Sequence, residues 1–176
     1  MNPSDNHLSE RATELRQAFD RSFAEPILAD ERKVVDFITL RIAGDPYAVR
    51  MADVAGLFNN VKITPVPGPL REMRGIAGFR GTLTPVYDLA ALLGYPPSSA
   101  CWIVLANAGA LGLAFDAFEG HFRIDPSAIA VQQNASAPQH VREIASHAGA
   151  AWPVVDIPSV VAAIRKRLPQ TATSKE

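Results

Sequence analysis

The stretch that decides the fold is residues 74–89, RGIAGFRGTLTPVYDL. It begins with a strand-like segment around Ile76 and ends in a run of Thr, Leu, Val and Tyr, most of which favour β-strands. Gly78 and Gly81 lie between these parts, and glycine readily adopts the positive φ that tight hairpin turns require. The stretch therefore predicts a β-hairpin with Arg80 at its tip.

A weaker copy of this stretch lies 68 residues further along the chain, with eight matches within sixteen positions. The matched residues are Arg74, Ile76, Ala77, Gly81, Pro85, Val86, Asp88 and Leu89 in the first copy and Arg142, Ile144, Ala145, Gly149, Pro153, Val154, Asp156 and Ile157 in the second. Upstream, a shift of 64 residues pairs Val54, Gly56 and Phe58 with Phe118, Gly120 and Phe122. Self-similarity at a fixed offset indicates a repeated structural unit. We expect two β-rich halves, at about 34–97 and 98–157, each closing into a small barrel that hides its edge strands.

Besides a short helical turn within each half, helices are expected at the two ends of the chain. Residues 8–23 have the apolar spacing of an amphipathic helix, whose stripe is suited to cover a core or to bind a partner helix. Residues 1–33 are thus interpreted as this helix and a charged link. A second helix is expected at 158–168, because Pro158 is tolerated at a helix start and three basic residues complement the helix dipole at its end. Residues 169–176 are interpreted as a disordered tail.

The composition excludes several classes of partner. Seventeen basic and eighteen acidic residues give a net charge of −1, so there is no excess positive charge for nucleic acid. The apolar stretch 100–115 is shorter than the ~20 residues that span a bilayer, and a buried β-hairpin with no membrane insertion is expected instead. The single Cys101 is interpreted as a buried thiol. The N-terminus lacks the pattern of a secretory signal, so a cytoplasmic location is expected.

No catalytic, metal or cofactor motif is evident. The four histidines are scattered and there is one cysteine, so no zinc site is expected. The nucleophile elbow and the phosphate-binding loop are both absent, which predicts a protein without enzymatic activity. Asp88 and Asp156 occupy equivalent repeat positions and could form an acid/base pair. Because Asp88 precedes a short helical turn closed by Gly94, the favoured interpretation is a helix cap.

Three interpretations of the turn at 78–81 are considered. Its Gly-x-x-Gly spacing is similar to the nucleotide-clamping loop of KH domains, but that loop joins helices, whereas strand-like segments flank this one. Arg80 could instead pair with a carboxylate of its own chain. Alternatively, Arg80 and Phe79 could anchor a protein interface, since arginine and aromatic residues are enriched at hot spots. The residues alone leave the last two interpretations open.

Over residues 34–165 the sequence resembles the CheW family, the coupling proteins of bacterial chemosensory arrays. The resemblance is carried by residues 36–40 (DFITL), 47–49 (YAV), Val54, 63–67 (ITPVP) and above all 74–89, where the family form is roughly G-x-x-N-L-R-G-x-x-x-P-x-x-D-L. In the second half, 113–116 (LAFD) and 124–126 (IDP) follow in the expected order.

This resemblance implies a mainly β protein with two five-stranded SH3-like barrels, no enzymatic activity and no cofactor. It implies partners at the cytoplasmic tip of a chemoreceptor and in the regulatory domain of a CheA-type histidine kinase. Arg80 and Val54 map to the receptor-facing surface of the family, and with Phe79 and Gly81 they are the expected protein-binding residues.

Some residues depart from the family pattern. Gly78 stands where the family usually has Asn, and Glu143 stands where the second half often has Gly. With the extra N-terminal helix, they motivate an alternative, a regulatory or ligand-binding module that no longer assembles into arrays. Trp152 and Pro153 make the last strand unusual, and because proline donates no hydrogen bond to a sheet, that strand is expected at an edge or with a bulge.

Overall fold

The computed structural model describes residues 34–68, 70–132 and 137–168. The predicted helix at 8–23, the link that follows it and the tail at 169–176 lie outside these residues. The described chain is mainly β, with eleven strands in one six-stranded and one five-stranded sheet. Six strands in one sheet exceed the expected five.

In chain order the strands are β1 (Val35–Ile42), β2 (Asp45–Arg50), β3 (Val54–Asn59), β4 (Met73–Phe79), β5 (Thr82–Asp88), β6 (Trp102–Ala106), β7 (Gly112–Phe115), β8 (Ala117–Ile124), β9 (Ile129–Val131), β10 (Val141–His147) and β11 (Ala150–Val155). The helices are α1 (Leu89–Leu92) and α2 (Ile157–Arg167), and 3-10 turns occur at Met51–Asp53 and Pro126–Ala128. At four and eleven residues, the helices of the described chain are too short to cross a bilayer.

The sheets do not correspond to the predicted halves. The six-stranded sheet has the order β8-β1-β2-β11-β10-β9, and the five-stranded sheet has the order β3-β6-β7-β5-β4. The hairpin β1–β2 therefore completes the sheet of the second repeat, and the hairpin β6–β7 completes the sheet of the first. The prediction of one barrel from 34–97 and another from 98–157 is wrong on this point. Sequence similarity identifies the repeated unit, but it does not show which copy a hairpin pairs with.

The two repeats otherwise agree closely. The ladder β4–β5 shifts register between Met73 and Gly75, and the ladder β10–β11 shifts between Val141 and Glu143, which is the same place 68 residues later. Both hairpins close with two residues of positive φ, 49° and 84° at Arg80-Gly81 and 50° and 78° at Ala148-Gly149. These are the signs of type I′ turns. The hairpin predicted at residues 74–89 is confirmed.

Three clusters of buried side chains form the core. The largest lies between the sheets and includes residues of both sheets and both helices. Ile38, Leu40 and Ile42 contribute to it from alternate positions of β1, because successive side chains of a strand point to opposite faces. Each sheet also encloses its own cluster, and the cluster of the five-stranded sheet includes Phe79 and Val86.

The two aspartates equivalent in the repeats cap helices, as expected. The Asp88 carboxylate accepts a hydrogen bond from the Ala91 N–H at 3.2 Å, and the Asp156 carboxylate accepts one from the Ser159 N–H at 3.0 Å. Asp88 is buried, and its second oxygen accepts from the Ser98 N–H at 3.3 Å. Both carboxylates therefore serve backbone groups that the start of a helix leaves unpaired.

The stretch 100–115 forms the antiparallel hairpin β6–β7, which confirms the expected buried hairpin. Cys101, however, is exposed rather than buried. The strand begins only at Trp102, so Cys101 precedes the ladder, and its Sγ lies 3.3 Å from the Asp116 carbonyl oxygen.

The strand that contains Pro153 is not at an edge, since β11 lies between β10 and β2. The register shift of its ladder with β10 falls at Arg142 on the partner strand. Its pairing with β2 starts only at Val154, one residue after the proline. The sheet tolerates Pro153 because the ladder that would need its N–H begins beyond it.

Candidate functional site

The tip of the hairpin β4–β5 presents the side chain of Arg80. This residue is exposed, and the positive φ values of Arg80 and Gly81 fix it at the first position of a type I′ turn. Within the described residues, no carboxylate lies within ion-pair distance of its guanidinium. The interpretation of Arg80 as a self-paired arginine is therefore not supported, and its charge faces solvent.

The outer surface of this hairpin is here called the hairpin face and consists of Ile76, Gly78, Arg80, Leu83 and Pro85. Ile76 lies opposite Pro85, and Gly78 lies opposite Leu83. Leu83 is 73% exposed, although it is a large apolar residue. Leu83 is not among the binding residues expected from the sequence. The alternation of a strand nevertheless indicates its position, because Thr84 and Val86 lie on one side of β5 and Leu83 lies on the opposite side.

Two of the predicted binding residues support the turn from within. Phe79 is only 4% exposed and packs inside the five-stranded sheet, so the expectation that it contacts a partner directly is wrong. Its side chain points inward because Phe79 is in phase with the buried Ala77. Gly81 has no side chain to offer, and its φ of 84° is the conformation that closes the turn.

Val54 lies elsewhere in the sheet. It is the first residue of β3, pairs with Ala106 and is half-buried against the core between the sheets. In the order of the five-stranded sheet, β3 and β4 are the two outermost strands. The structure thus places Val54 against a different core cluster from the one below Arg80.

The segment that includes this hairpin is basic. Between residues 60 and 86 it carries Lys62, Arg71, Arg74 and Arg80 against one acid, Glu72. Burial opposes ionisation of Glu72, but a backbone hydrogen bond and the Arg167 guanidinium at 2.9 Å outweigh it and hold the pKa of Glu72 below its usual value. Since Glu72 is engaged by α2, the positive charge at the hairpin is not neutralised by it.

A cavity of about 280 Å³ lies in the other sheet, near the start of α2. Its lining residues are Arg50, Asp53, Arg142, Glu143, Val154, Val155, Asp156 and Pro158. Arg50 forms an ion pair with Glu143 and lies over the Phe37 ring, 5.3 Å from its centroid. Burial is the main cause that raises the pKa of Asp53. The positive charge of Arg50 opposes this shift, whereas the negative charges of Asp156 and Glu143 add to it.

Within residues 34–68, 70–132 and 137–168, no group of three or more histidine, cysteine, aspartate or glutamate side chains is placed to hold a metal ion.

Comparison with known proteins identifies the domain type. Residues 36–165 match the family described as CheW-like domain. A search of curated proteins found no match. Among solved structures, the chain is similar to the scaffolding protein TtCheW from Thermoanaerobacter tengcongensis, with a TM-score of 0.62 and 22% identity. That alignment covers 69% of this chain and 88% of the other, and at this identity it shows a shared fold.

Proposed function

The chain belongs to the CheW-like domain family, and from this membership we propose that it is a non-catalytic adaptor of a bacterial chemosensory pathway. In this role it couples the cytoplasmic tip of a chemoreceptor to the regulatory domain of a CheA-type histidine kinase. It acts in the cytoplasm and is recruited to receptor clusters at the membrane. Its two sheets serve as SH3-like barrels that present separate surfaces.

The observation that carries the proposal is the presentation of Arg80. A type I′ turn restricts the backbone, and the buried Phe79 anchors the strand beside it. The guanidinium of Arg80 has no ion-pair partner in the described part of the chain. Because the turn already restricts the backbone of Arg80, this residue loses little backbone freedom when a partner binds. Such an arginine is suited to an interface rather than to stabilising its own fold.

The direct test is a pull-down with the kinase regulatory domain and the receptor tip from the same genome. Arg80→Asn is the sharpest variant because asparagine removes the charge but accepts the positive φ of a type I′ turn. We expect it to weaken receptor coupling while changing the free energy of unfolding by less than about 0.5 kcal/mol.

A matched control is Lys166→Ala, which removes another exposed positive charge without an ion pair among the described residues, but from the helix α2, away from the hairpin face and the charged cavity. It should leave coupling intact. If the wild-type chain binds neither domain, the adaptor function is refuted.

The cavity favours a second candidate, a regulatory or ligand-binding module that keeps the fold without assembling into arrays. Its volume is near the lower end of ligand pockets, and Glu143, a departure from the family pattern, forms part of its wall through the ion pair with Arg50. A thermal-shift screen of small polar metabolites tests this function. A shift that Arg142→Ala abolishes, in a chain that binds neither kinase nor receptor, would favour the second candidate.

A further inference from the structure

The charged cavity lies where two parallel strands of the six-stranded sheet end. β2 and β11 are parallel neighbours, with Val49 level with Val155. After Arg50 the chain of β2 enters the 3-10 turn that contains Asp53, and after Val155 the chain of β11 enters α2. The two chains thus diverge beyond the carboxyl ends of their strands, which is the arrangement that forms ligand crevices in open α/β sheets.

The ion pair between Arg50 and Glu143 forms one wall of the cavity. Arg50 belongs to β2 and Glu143 to β10, and these strands lie on either side of β11 in the sheet. The Arg50 guanidinium also lies over the Phe37 ring. Because Arg50 is already engaged by both contacts, this pair serves the wall and leaves ligand recognition to the other charged residues of the lining.

Two charged side chains of the lining are left without a partner. Within the described ranges, the Asp53 carboxylate and the Arg142 guanidinium form no hydrogen bond and no ion pair. Burial raises the pKa of Asp53, Arg50 opposes that shift, and the charges of Asp156 and Glu143 add to it. A positive group placed beside Asp53 would therefore offset the repulsion from these two carboxylates.

The other repeat shows that the fold does not require the acidic side chains of the wall and the turn. β5 and β7 form the equivalent parallel pair of the five-stranded sheet, in the same register. A shift of 64 residues sets Asp53 against Ala117, and a shift of 68 sets Glu143 against Gly75. The same architecture thus forms in the first repeat without these two carboxylates, and they distinguish the cavity of the second.

The arginine of the lining differs from its equivalent in another way. Arg142 corresponds to Arg74 in the first repeat, and the Arg74 guanidinium donates a hydrogen bond to the Ala100 carbonyl oxygen at 3.1 Å. Arg74 therefore serves its own chain, whereas the Arg142 guanidinium has no such bond among the described residues. An arginine in this state is suited to a carboxylate supplied from outside.

The balance of charges decides the class of ligand. Three carboxylates and two guanidinium groups line the cavity, so a small anion such as phosphate would meet a net negative charge. A simple cation would leave Arg142 without a partner. A molecule that carries both an ammonium group and a carboxylate offers one charge to each unpaired side chain. The volume of about 280 Å³ is near the lower end of ligand pockets and suits a molecule of amino-acid size.

From these features we propose that the charged cavity binds a small zwitterion of the amino-acid class. The ammonium group of the ligand faces Asp53, and its carboxylate faces Arg142. This inference deepens the second candidate function and rests on it for the biological role, but binding itself is testable without the kinase or the receptor.

The test is an NMR titration of the ¹⁵N-labelled full chain at neutral pH. The probes are L-valine, 4-aminobutanoate and 6-aminohexanoate, which differ in the distance between their two charges. Each is compared with one counterpart that lacks the ammonium group and one that lacks the carboxylate. We expect at least one zwitterion to shift the amide signals of Asp53, Arg142 and Asp156, with a Kd of about 1 mM or tighter.

The counterparts show whether both charges are recognised. Since a hydrogen bond to a charged group contributes roughly 1.5–3 kcal/mol, each counterpart should bind at least about tenfold more weakly than its zwitterion. No shift from any of the three zwitterions would overturn the proposal. An amine or a carboxylic acid that binds as tightly as its zwitterion would also overturn it, because the cavity would then recognise a single charge.

Two variants test which residue faces which charge. In Asp53→Asn, the zwitterion should bind no more tightly than its counterpart without the ammonium group. In Arg142→Gln, it should bind no more tightly than its counterpart without the carboxylate. Asp53→Asn should not lower the melting temperature, because it removes a carboxylate that Asp156 and Glu143 repel.

Matched controls remove the same charges outside the cavity. Asp116→Asn removes a carboxylate and Lys166→Gln removes a positive charge, and neither residue belongs to the lining of the cavity. Both variants should bind the zwitterion like the wild type. Equal losses in the Asp53 and Asp116 variants, or in the Arg142 and Lys166 variants, would contradict the proposal.

The outcomes distinguish this inference from both proposed functions. If a zwitterion binds through Asp53 and Arg142 and neither kinase nor receptor domain is captured, the adaptor function fails, and the inference and the second candidate stand. If a zwitterion binds and both domains are captured, the inference and the adaptor function stand and the second candidate fails. If both domains are captured and no zwitterion binds, the inference fails and the adaptor function stands.

Discussion

Phe58 and Phe79 belong to the two outermost strands of the five-stranded sheet, yet their ring centroids lie 4.8 Å apart. The sheet therefore curls until side chains from its first and last strands meet. Because Phe79 is next to Arg80, the same contact connects the tip of the hairpin β4–β5 to β3.

Removing this contact should destabilise the protein. We expect Phe58→Ala to lower the free energy of unfolding by about 3 kcal/mol, since it leaves a cavity against Phe79. Urea denaturation measures this loss. Phe58→Leu retains more of the volume and should cost clearly less, and equal costs for the two variants would show that packing against Phe79 is not the cause.

Gly81, in the turn, should tolerate substitution less well than Gly78, which lies in the strand before the turn. Gly81→Ala places a side chain at a φ of 84° and should destabilise the protein by about 1 kcal/mol or more. Gly78→Ala meets no steric obstacle and no positive φ, so it should be close to neutral. Thermal unfolding of the two variants is a direct comparison, and a larger cost at Gly78 would contradict the assigned turn.

The Asp88 cap of α1 should contribute more to the free energy of unfolding than an average helix cap does. Asp88→Ala removes the hydrogen bond from the Ala91 N–H and leaves the partly buried Ser98 N–H without its acceptor. We expect a loss of about 2 kcal/mol, at the upper end of cap substitutions. Chemical denaturation of the variant measures it. Asp156→Ala removes the equivalent cap of α2, whose carboxylate accepts from the Ser159 N–H, and with no second backbone group to lose it should cost less, about 1 kcal/mol.

Acidification should weaken the fold through His140. Burial, with Arg142 acting in the same direction and Asp156 opposing it, lowers the pKa of His140, whose Nδ1 lies 2.8 Å from the Ser159 hydroxyl oxygen. The folded state thus disfavours the protonated ring. The stabilisation is present above the unfolded pKa of about 6.5 and is lost as the pH falls through the lower folded value.

Melting temperatures at pH 7.5 and pH 5 test this dependence. His140→Asn should reduce the drop between the two pH values because it removes one group that must take up a proton on unfolding. An unchanged drop would show that other groups carry the acid sensitivity.

Features that depend on neighbouring residues could be predicted from the sequence. The turn Arg80-Gly81, the capping role of Asp88 and the alternation of Ile38, Leu40 and Ile42 all follow from local chemistry. Proline at 153 was harder to place, because its tolerance depends on where the pairing with β2 begins, in a strand about a hundred residues earlier.

The candidate site could be predicted from the sequence only in part, because some of its features depend on residues that are distant in the sequence. Arg80 was identified from the turn and the resemblance, whereas the burial of Phe79 and the exposure of Leu83 depend on which side of the hairpin faces the enclosed cluster. A hydrophobic residue in a strand does not reveal its phase by itself. Applied to the buried Val86, the alternation rule would have assigned Leu83 to the outside.

The exchange of the hairpins β1–β2 and β6–β7 between the repeats also governs how the chain can come apart. A cut after residue 97 does not release one intact barrel; it takes strands out of both sheets, so neither fragment can be expected to survive alone. We therefore expect the two sheets to unfold together in one cooperative transition, and neither sheet to melt while the other stays folded.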